Sequence, residues 1–372
     1  MTAAPDKLAY FAGGGTAGHV FPALAIADEL EARGWRTRFT GSPQGLEARL
    51  VEERGGVFDA LPARPLVGRG PWSQVKALFT VGRSALKAAG RIRRLQVAVV
   101  VGTGGYVSAP AMIGGRLAGR PSLLVEPNAE AGVANRWLSR WASGAVVAFP
   151  QTVDRLQCPA WVTGVPVRSV FHDVPDRAVD PSALRLLVLG GSQGAVQLNR
   201  EVPRALATLG ERFAGLRVLH QAGREKVEAA LEAYGEAGLD AGTGSEKQFQ
   251  ITGFLADVAA EMAASDLLIS RAGAMTTAEI CAAGRASVLV PLSLAGGHQM
   301  NNARHLADAG AALVVSSEDA DGGRLAEVLA PVLADAERLA VMGRAARQLA
   351  PRGAAGAIAD HIDALANDRR AA

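Results

Sequence analysis

This chain has little cysteine, no signal-like N-terminus and no run that reads as a membrane span. Its two cysteines, Cys158 and Cys281, are far apart and belong to no ligand motif. That excludes a disulfide framework and a cysteine zinc site, and it fits a reducing compartment. No basic segment followed by an apolar one precedes Gly13, so we expect no secretory signal there. The uncharged stretch 95–115 contains Pro110 and five glycines, which is typical of a buried strand and a loop.

Acidic residues are absent between Ala60 and Val125. Ten basic residues lie in this window: Arg64, Arg69, Lys76, Arg83, Lys87, Arg91, Arg93, Arg94, Arg116 and Arg120. Because the net charge of the chain is only +3, the rest is net negative, and this asymmetry indicates an anionic partner. Apolar residues such as Trp72, Phe79 and Leu86 are mixed with the basic ones, which favours an anionic membrane surface and not nucleic acid. An amphipathic helix packed on a sheet is the alternative, but it leaves the missing acids unexplained.

Short apolar runs alternate with helical patterns along all 372 residues, a length that suits two domains. Continuous runs of this kind predict parallel sheets covered on both faces. The predicted strands are 8–12, 36–39, 97–101, 122–125, 145–149 and 161–163, then 184–189, 217–221, 249–252, 267–270, 287–290 and 312–315. We therefore predict an α/β protein with two tandem doubly wound, Rossmann-like domains. They are residues 1–166, on which a last helix at 352–372 packs back, and residues 167–351.

Each half contains a glycine-rich loop between a strand and a helix. The first is Gly13-Gly14-Gly15-Thr16-Ala17-Gly18-His19, and the second is Gly190-Gly191-Ser192-Gln193-Gly194-Ala195. Glycines allow a tight turn and close approach to a ligand, while the following helix presents N–H groups and a positive dipole end. We predict a phosphorylated ligand at the switch point of each domain. One such loop would also fit a plain turn; the pair favours ligand sites.

Further features of the first half fall on the same predicted edge. The cluster Gly102-Thr103-Gly104-Gly105-Tyr106 follows the strand at 97–101 and would add N–H groups for a pyrophosphate. His19 begins a helix whose dipole would lower the imidazole pKa and favour its neutral, basic form. We interpret it as a base that deprotonates an attacking hydroxyl, with a capping histidine as the alternative. Glu126 and Asn128 would bind sugar hydroxyls, orient His19 or cap the next helix.

The second half repeats the pattern of small and polar residues after strands. The segment from Arg271 to Glu279 opens a helix that suits phosphate, and Glu279 is placed to accept both ribose hydroxyls or simply to complement the helix dipole. An amide-rich set suits sugar hydroxyls or a helix cap: His298, Gln299, Asn301 and Asn302. Asp319-Ala320-Asp321 is interpreted as a surface turn, and no other arrangement suggests a metal site.

Together these motifs resemble the MurG family of bacterial peptidoglycan N-acetylglucosaminyltransferases. The matching segments are 14–22, 102–108, Glu126-Pro127-Asn128, Asn135, Pro166-Val167-Arg168, 190–195 and 271–279, in family order and over nearly the whole chain. The resemblance implies a GT-B glycosyltransferase, with two Rossmann-like domains facing across a cleft. It implies inverting transfer of N-acetylglucosamine from UDP-N-acetylglucosamine to the muramyl 4-hydroxyl of lipid I, giving lipid II and UDP. It also implies a peripheral protein at the cytoplasmic face of the cell membrane, without a tightly bound cofactor and with a divalent cation only as a stimulant.

The family pattern also implies a role for each matching residue. His19 is the catalytic base. The donor-binding residues are Thr16, Ala17, Gly18, Asn128, Arg168, Ser192, Leu255, Ala274, Met275, Thr276, Thr277, Ala278, Glu279 and Gln299. The acceptor-binding residues are Gly14, Gly15, Gly104, Gly105, Tyr106 and Glu126. The sequence departs from the family pattern at five positions, and we assign none of them to the chemical step: Ala17, Val125, Pro127, Val165 and His298.

Three other functions stay open at this point. A UDP-N-acetylglucosamine 2-epimerase has a similar fold but needs neither a lipid acceptor nor a basic, apolar face. A nicotinamide-dependent oxidoreductase needs an acidic ribose partner about 20 residues after its glycine loop, and residues 37–40 supply none. A non-catalytic nucleotide-sugar sensor would share the second-half loops without needing His19.

Overall fold

The chain divides into two compact units. A computed structural model describes residues 7–63, 71–191, 193–293, 298–350 and 352–371. One unit is residues 1–167 together with 353–372, and the other is residues 168–352. The limits fall one residue from those predicted. Among the described helices, none is both long and apolar enough to cross a bilayer.

The first unit is a parallel sheet of seven strands. They are β1 (Leu8–Gly13), β2 (Arg36–Gly41), β3 (Phe58–Ala60), β4 (Val99–Gly104), β5 (Ser122–Glu126), β6 (Gly144–Val147) and β7 (Ala160–Val162), in the order β3-β2-β1-β4-β5-β6-β7. Between them lie α1 (Ala17–Ala32), α2 (Leu46–Glu53), α3 (Pro71–Arg94), α4 (Ala109–Leu117), α5 (Val133–Leu138) and a 3₁₀ helix at Pro150–Arg155. Residues 99–101 of β4 are valines buried on both faces, which is why the central strand reads as a continuous apolar run.

The second unit has the same architecture. Its strands are β8 (Arg185–Leu189), β9 (Arg217–Gln221), β10 (Ala241–Gly242), β11 (Phe249–Thr252), β12 (Leu267–Ser270), β13 (Ala286–Leu289) and β14 (Ala312–Val314), in the order β10-β11-β9-β8-β12-β13-β14. Its helices are α6 (Ser169–His172), α7 (Val196–Leu209), α8 (Val227–Glu236), α9 (Val258–Ala263), α10 (Ala274–Ala283), α11 (His298–Asp308), α12 (Gly322–Leu333) and α13 (Ala336–Gln348), with 3₁₀ turns at Gly210–Phe213 and Arg224–Lys226. All strand pairs are parallel, as predicted.

The last helix, α14 (Ala354–Ala371), belongs to the first unit. Ile358 and Ile362 are fully buried in the same apolar cluster as Leu30 of α1. Asp363 accepts from Lys7 Nζ at 3.0 Å and from the indole nitrogen of Trp35 at 3.2 Å. Apolar burial and directed polar contacts therefore both hold α14 in the fold of a unit whose other residues end at Val167.

The predicted strands are all present, with shifted limits at some ends. The run at 97–101 forms a strand that starts two residues later and continues to Gly104. Two short edge strands, β3 and β10, are missing from the prediction. β3 is Phe-Asp-Ala and β10 is Ala-Gly, so neither has enough apolar residues to show a pattern.

Candidate functional site

The glycine-rich loops follow the central strands of their sheets. In the first unit the strand order reverses between β1 and β4, where Gly13 is the register partner of Gly104. In the second unit it reverses between β8 and β12, which lead into Gly190 and Arg271. Ligands of open parallel sheets bind outside the carboxyl ends of the strands at this point. The predicted position of both loops is confirmed.

His19 is held by the loop that precedes it. Its Nδ1 lies 3.1 Å from the carbonyl oxygen of Gly14 and 3.1 Å from the hydroxyl of Thr16. A carbonyl only accepts, so we assign the ring proton to Nδ1, which leaves the lone pair on Nε2. Burial lowers the pKa of the imidazole, against the opposing charges of Glu126 and Glu47. The direction of the pKa shift matches the prediction, and its largest cause is burial. The arrangement makes Nε2 a proton acceptor.

The second glycine cluster of the first unit forms the surface on which the imidazole lies. Gly104 and Gly105 have φ of +103° and +74°. A Cβ on Gly104 would stand 2.7 Å from Cδ2 of His19, and one on Gly105 would stand 2.8 Å from the Gly14 oxygen. Thr103 donates to the carbonyl oxygen of His19 at 2.7 Å. These glycines are therefore required by the histidine itself. Tyr106 next to them is 39% exposed, so it is accessible to an acceptor.

Glu47 of α2, which the sequence analysis did not select, lies beneath the first loop. Its side chain is buried, and its Oε2 accepts from the N–H of Gly15 at 3.1 Å. Its Oε1 accepts from the N–H of Ser42 at 2.9 Å. The N–H of Gly15, a residue that the resemblance assigns to acceptor binding, is thus occupied by a carboxylate of the protein. The outer side of Gly15 is open.

Glu126 organises the turn after β5. Its Oε1 accepts from the backbone and side-chain nitrogens of Asn128, at 3.0 and 2.9 Å. Its Oε2 accepts from the backbone of Gly132 and the amide of Asn135, both at 2.9 Å. Four donors saturate a carboxylate, and the side chain is only 2% exposed. The geometry therefore does not support the prediction that Glu126 binds the acceptor directly; it orients the amide of Asn128 instead.

The glycine loop of the second unit is shaped by backbone packing. A Cβ on Gly194, where φ is +71°, would lie 1.8 Å from the carbonyl oxygen of Ala222. A Cβ on Gly190 would lie 2.7 Å from the backbone nitrogen of Ala195. Gly191 has φ of +77° and open space around it, so a ligand can approach its backbone. Ser192, predicted to meet the UDP phosphates, lies outside the described residues.

Helix α10 carries most of the predicted donor residues. Five of them are buried on the helix: Ala274, Met275, Thr277, Ala278 and Glu279. Thr276 is half-buried. Burial raises the pKa of Glu279 to about 7, against the charge of Arg168, which caps α6 and lies over the ring of Phe171. Arg168 and Glu279 are thereby brought together, whereas the hydroxyl of Thr277 is turned into its own helix, towards the carbonyls of Gly273 and Ala274.

The remaining predicted residues of the second unit hold or flank its loops. Arg271 bonds to Gln197 at 3.3 Å, to the Val290 carbonyl at 3.0 Å and to Ser317 at 3.0 Å, so it ties three strand ends together. Oε1 of Gln299 accepts from the Leu292 N–H at 3.0 Å.

Two further segments of this unit were predicted as a ligand contact and as a turn. Leu255 is half-buried in the loop after β11, two strands away from β8. Asp321 accepts from the N–H of Arg324 at 2.8 Å and caps α12, which confirms the surface turn.

Comparison with known proteins agrees with this geometry. Residues 9–147 match the glycosyltransferase family 28 N-terminal domain, and residues 185–358 match the glycosyltransferase family 28 C-terminal domain. A relative from Halorhodospira halophila is 41% identical over 96% of this chain and 98% of its own length. It is named UDP-N-acetylglucosamine--N-acetylmuramyl-(pentapeptide) pyrophosphoryl-undecaprenol N-acetylglucosamine transferase. The crystal structure of Acinetobacter baumannii MurG shares 32% identity, with a TM-score of 0.76 over 96% of this chain and 99% of that one. The chain belongs to the MurG family.

Membership of the MurG family establishes the GT-B fold class. The fold alone would not have identified the family. The crystal structure of a putative UDP-N-acetylglucosamine 2-epimerase from Listeria monocytogenes also covers 97% of this chain, with a TM-score of 0.68. Its identity is only 13%, so this likeness shows the shared fold and nothing more.

Two polar residues of this MurG-family site were missed or left without a role. Glu47 was missed because its partner Gly15 is in the loop after β1, and only the pairing of β1 with β2 brings the two together. Glu47 stands at the start of a helix that lies between two turns containing glycine and follows the strand next to β1. This position was the sequence signal that could have identified it. Asn135 was part of the family motif, and the structure gives it a contact, the carboxylate of Glu126.

Proposed function

We propose that this chain transfers N-acetylglucosamine from UDP-N-acetylglucosamine to the muramyl 4-hydroxyl of lipid I, with inversion, forming lipid II and UDP. The family and the names of its relatives support the reaction. The single observation that supports it most directly is His19, whose Nδ1 bonds to the Gly14 carbonyl and whose Nε2 remains a base at the switch point.

The proposed step is one displacement at the anomeric carbon of the donor. The acceptor oxygen forms a bond to that carbon while the bond to the UDP oxygen breaks. Nε2 of His19 takes the hydroxyl proton, and UDP leaves with the bonding electron pair. General base catalysis of this kind contributes about 10²–10⁴-fold.

We assign the acceptor to the first unit and the nucleotide to the second. Gly191 and the N-terminus of α10 offer backbone dipoles to the diphosphate, and Arg168 adds a positive charge. Glu279 is placed for the ribose hydroxyls. We propose that no cofactor is tightly held and that a divalent cation stimulates only through the diphosphate. The donor-sugar roles of Thr16, Ala17, Gly18, Asn128 and Gln299 stay predictions, as does the uracil contact of Leu255.

We further propose that the first unit contacts an anionic membrane at the cytoplasmic face. The support is the outer face of α3, where Phe79 and Leu86 are 65% and 67% exposed. Arg83 lies between them, its guanidinium 5.7 Å from the centre of the Phe79 ring. Ala88 and Ile92, on the opposite face of the helix, are fully buried. Exposed apolar and basic side chains on one face suit the lipid–water boundary.

The test is release of UDP from UDP-N-acetylglucosamine with and without a lipid I analogue. The proposal expects release only with the acceptor, together with a disaccharide lipid product. Conversion of the donor sugar to its 2-epimer without an acceptor would instead identify an epimerase. Hydrolysis of the donor at equal rates in both reactions would also contradict the proposal.

A further inference from the structure

One peptide group in the first loop links two ionisable side chains. The carbonyl of Gly14 accepts from Nδ1 of His19 at 3.1 Å. The N–H of Gly15, which belongs to the same peptide unit, donates to Oε2 of Glu47 at 3.1 Å. Because a trans peptide is planar and its C=O and N–H point in opposite directions, the carboxylate and the imidazole lie at opposite ends of one dipole.

The space for the Glu47 carboxyl group is built by glycines from two segments. A Cβ on Gly14 would lie 2.2 Å from Cδ of Glu47, and one on Gly45 would lie 2.3 Å from the same atom. A Cβ on Gly41 would lie 2.6 Å from its Cγ. The carboxyl group is therefore enclosed in one position, with the Ser42 N–H fixing its other oxygen at 2.9 Å.

We propose that Glu47 is a positioning residue that orients and polarises His19 through the Gly14–Gly15 peptide, so that Nε2 remains the proton acceptor. A negative charge at the N–H end of a peptide makes its carbonyl a stronger acceptor. A stronger acceptor holds the proton on Nδ1 and stabilises the imidazolium that forms when Nε2 takes a proton, as a carboxylate does when it orients a histidine directly. This inference rests on the proposed function, because it takes His19 as the base.

Among the residues that the structure describes, two charged groups face the imidazole, and they differ in their hydrogen-bond partners. Glu47 comes from α2 and Glu126 from the end of β5; both raise the pKa of His19 against the lowering effect of burial. Thr16 and Thr103, from the loop and from β4, are neutral. The two carboxylate oxygens of Glu126 accept hydrogen bonds from four donors in its own turn. Glu47 is the group aligned with the peptide that holds Nδ1.

The deciding experiment compares the full-length chain with its Glu47→Gln variant, which keeps the shape but removes the charge. ¹⁵N NMR of the imidazole, without substrates, reports the tautomer and the titration of His19. We expect the Nδ1–H tautomer to lose population and the pKa of His19 to fall, because an anion that favours imidazolium is gone. The acid limb of kcat/KM then moves to lower pH. We expect kcat to fall about 10- to 100-fold and KM for the donor to stay constant.

A matched control separates this from the general effect of altering a buried glutamate. Glu201 is 4% exposed, and its Oε2 accepts from the N–H of Gly322 at 3.0 Å in the second unit. We expect Glu201→Gln to lower stability and to leave the His19 titration and the acid limb where they are. Glu47→Asp keeps the charge but moves it one methylene further from the Gly15 N–H, so it should restore part of the His19 titration and of the acid limb. This variant replaces Glu47→Gln if the glutamine variant does not fold.

Specific outcomes would overturn the inference. If Glu47→Gln, or Glu47→Asp in its place, loses activity while the tautomer, the titration and the acid limb stay unchanged, Glu47 only supports the fold. If the NMR signals change as expected but His19→Ala retains turnover, Glu47 does orient His19 but His19 is not the base. Failure of the positioning role of Glu47 and failure of the proposed function are thus detected by different measurements.

Discussion

The two glycine loops look alike in sequence and are held in different ways. In the first loop, Gly13 and Gly14 make room for the side chains of Thr103 and Glu47, and Gly104 and Gly105 of the neighbouring cluster make room for the His19 ring. In the second, Gly190 and Gly194 allow backbone to touch backbone, and Gly191 stays open. A glycine-rich loop at a switch point therefore does not by itself identify an anion site. The partners of its N–H groups decide what it binds.

Glu279 of the second unit differs in a similar way from Glu47 and Glu126 of the first. Glu47 and Glu126 accept hydrogen bonds from nearby N–H groups of their own unit. Among the described contacts of Glu279 there is the charge of Arg168 but no hydrogen bond. Glu47 and Glu126 are thus fixed by hydrogen bonds within the first unit, whereas Glu279 accepts none from the described residues.

The largest effect should come from removing the side chain that distinguishes the first loop. We expect His19→Ala to lower kcat by about 10²–10⁴-fold, because the base is lost. UDP-N-acetylglucosamine binding, which we assign to the second unit, should persist. Turnover kinetics and calorimetric titration with the donor measure the two effects. Full activity of this variant would remove His19 from the mechanism.

Adding one methyl group to the glycine cluster beside His19, and one to the second loop, should separate catalysis from stability. Gly104→Ala pushes a Cβ to 2.7 Å from the His19 ring, and a misplaced catalytic group costs on the order of 10²-fold in kcat. Gly194→Ala pushes a Cβ to 1.8 Å from the Ala222 oxygen. Together with the cost of a left-handed alanine, this should lower the free energy of unfolding by about 3 kcal/mol. Denaturant titration and kcat of both variants give the comparison, and equal profiles for the two would contradict it.

The buried carboxyl of Glu279 should make stability depend on pH. Burial raises the pKa of Glu279 from 4.5 to about 7, so the folded state keeps a proton that the unfolded state loses between these values. Stability therefore falls as pH rises through this window, and the full penalty, up to about 3 kcal/mol, applies above pH 7. Glu279→Gln should raise the free energy of unfolding at pH 8 and leave it unchanged at pH 4. It should also weaken donor binding, and a more stable variant with undiminished affinity would exclude the ribose role.

The smallest effect concerns the surface of the first unit. Arg83→Gln removes one exposed charge beside Phe79, so binding to anionic vesicles should weaken about fivefold, from about 1 kcal/mol per basic residue. Arg212→Gln is the matched control, because Arg212 stacks on Phe213 at 5.4 Å in the second unit. Vesicle sedimentation at fixed salt measures both. An equal loss in the two variants would mean that α3 is not the contact surface.

The sequence predicts the sheets well and the carboxylate contacts poorly, for a physical reason. Strands buried on both faces are continuous apolar runs, so the sequence pattern alone predicts β4 and β12. His19 and the glycines are legible because a loop between strand and helix is a local pattern. The contact between Glu47 and Gly15 spans 32 positions and exists only because β2 lies beside β1. The donors of Glu126 are close in sequence, but only the folded turn after β5 directs the N–H groups of Asn128, Gly132 and Asn135 to one carboxylate.

Helix α14 has a consequence for how the chain acquires its structure during synthesis. Ile358 and Ile362 complete the core around α1 and β1, although they leave the ribosome only after every residue of the second unit. The first unit can therefore begin to collapse early but cannot close its core until the second unit has been translated in full. A premature stop near residue 352 would release a chain whose first unit exposes the apolar side of α1. Such a product should be recognised by chaperones and proteases as incomplete, even though every residue of both glycine loops is present.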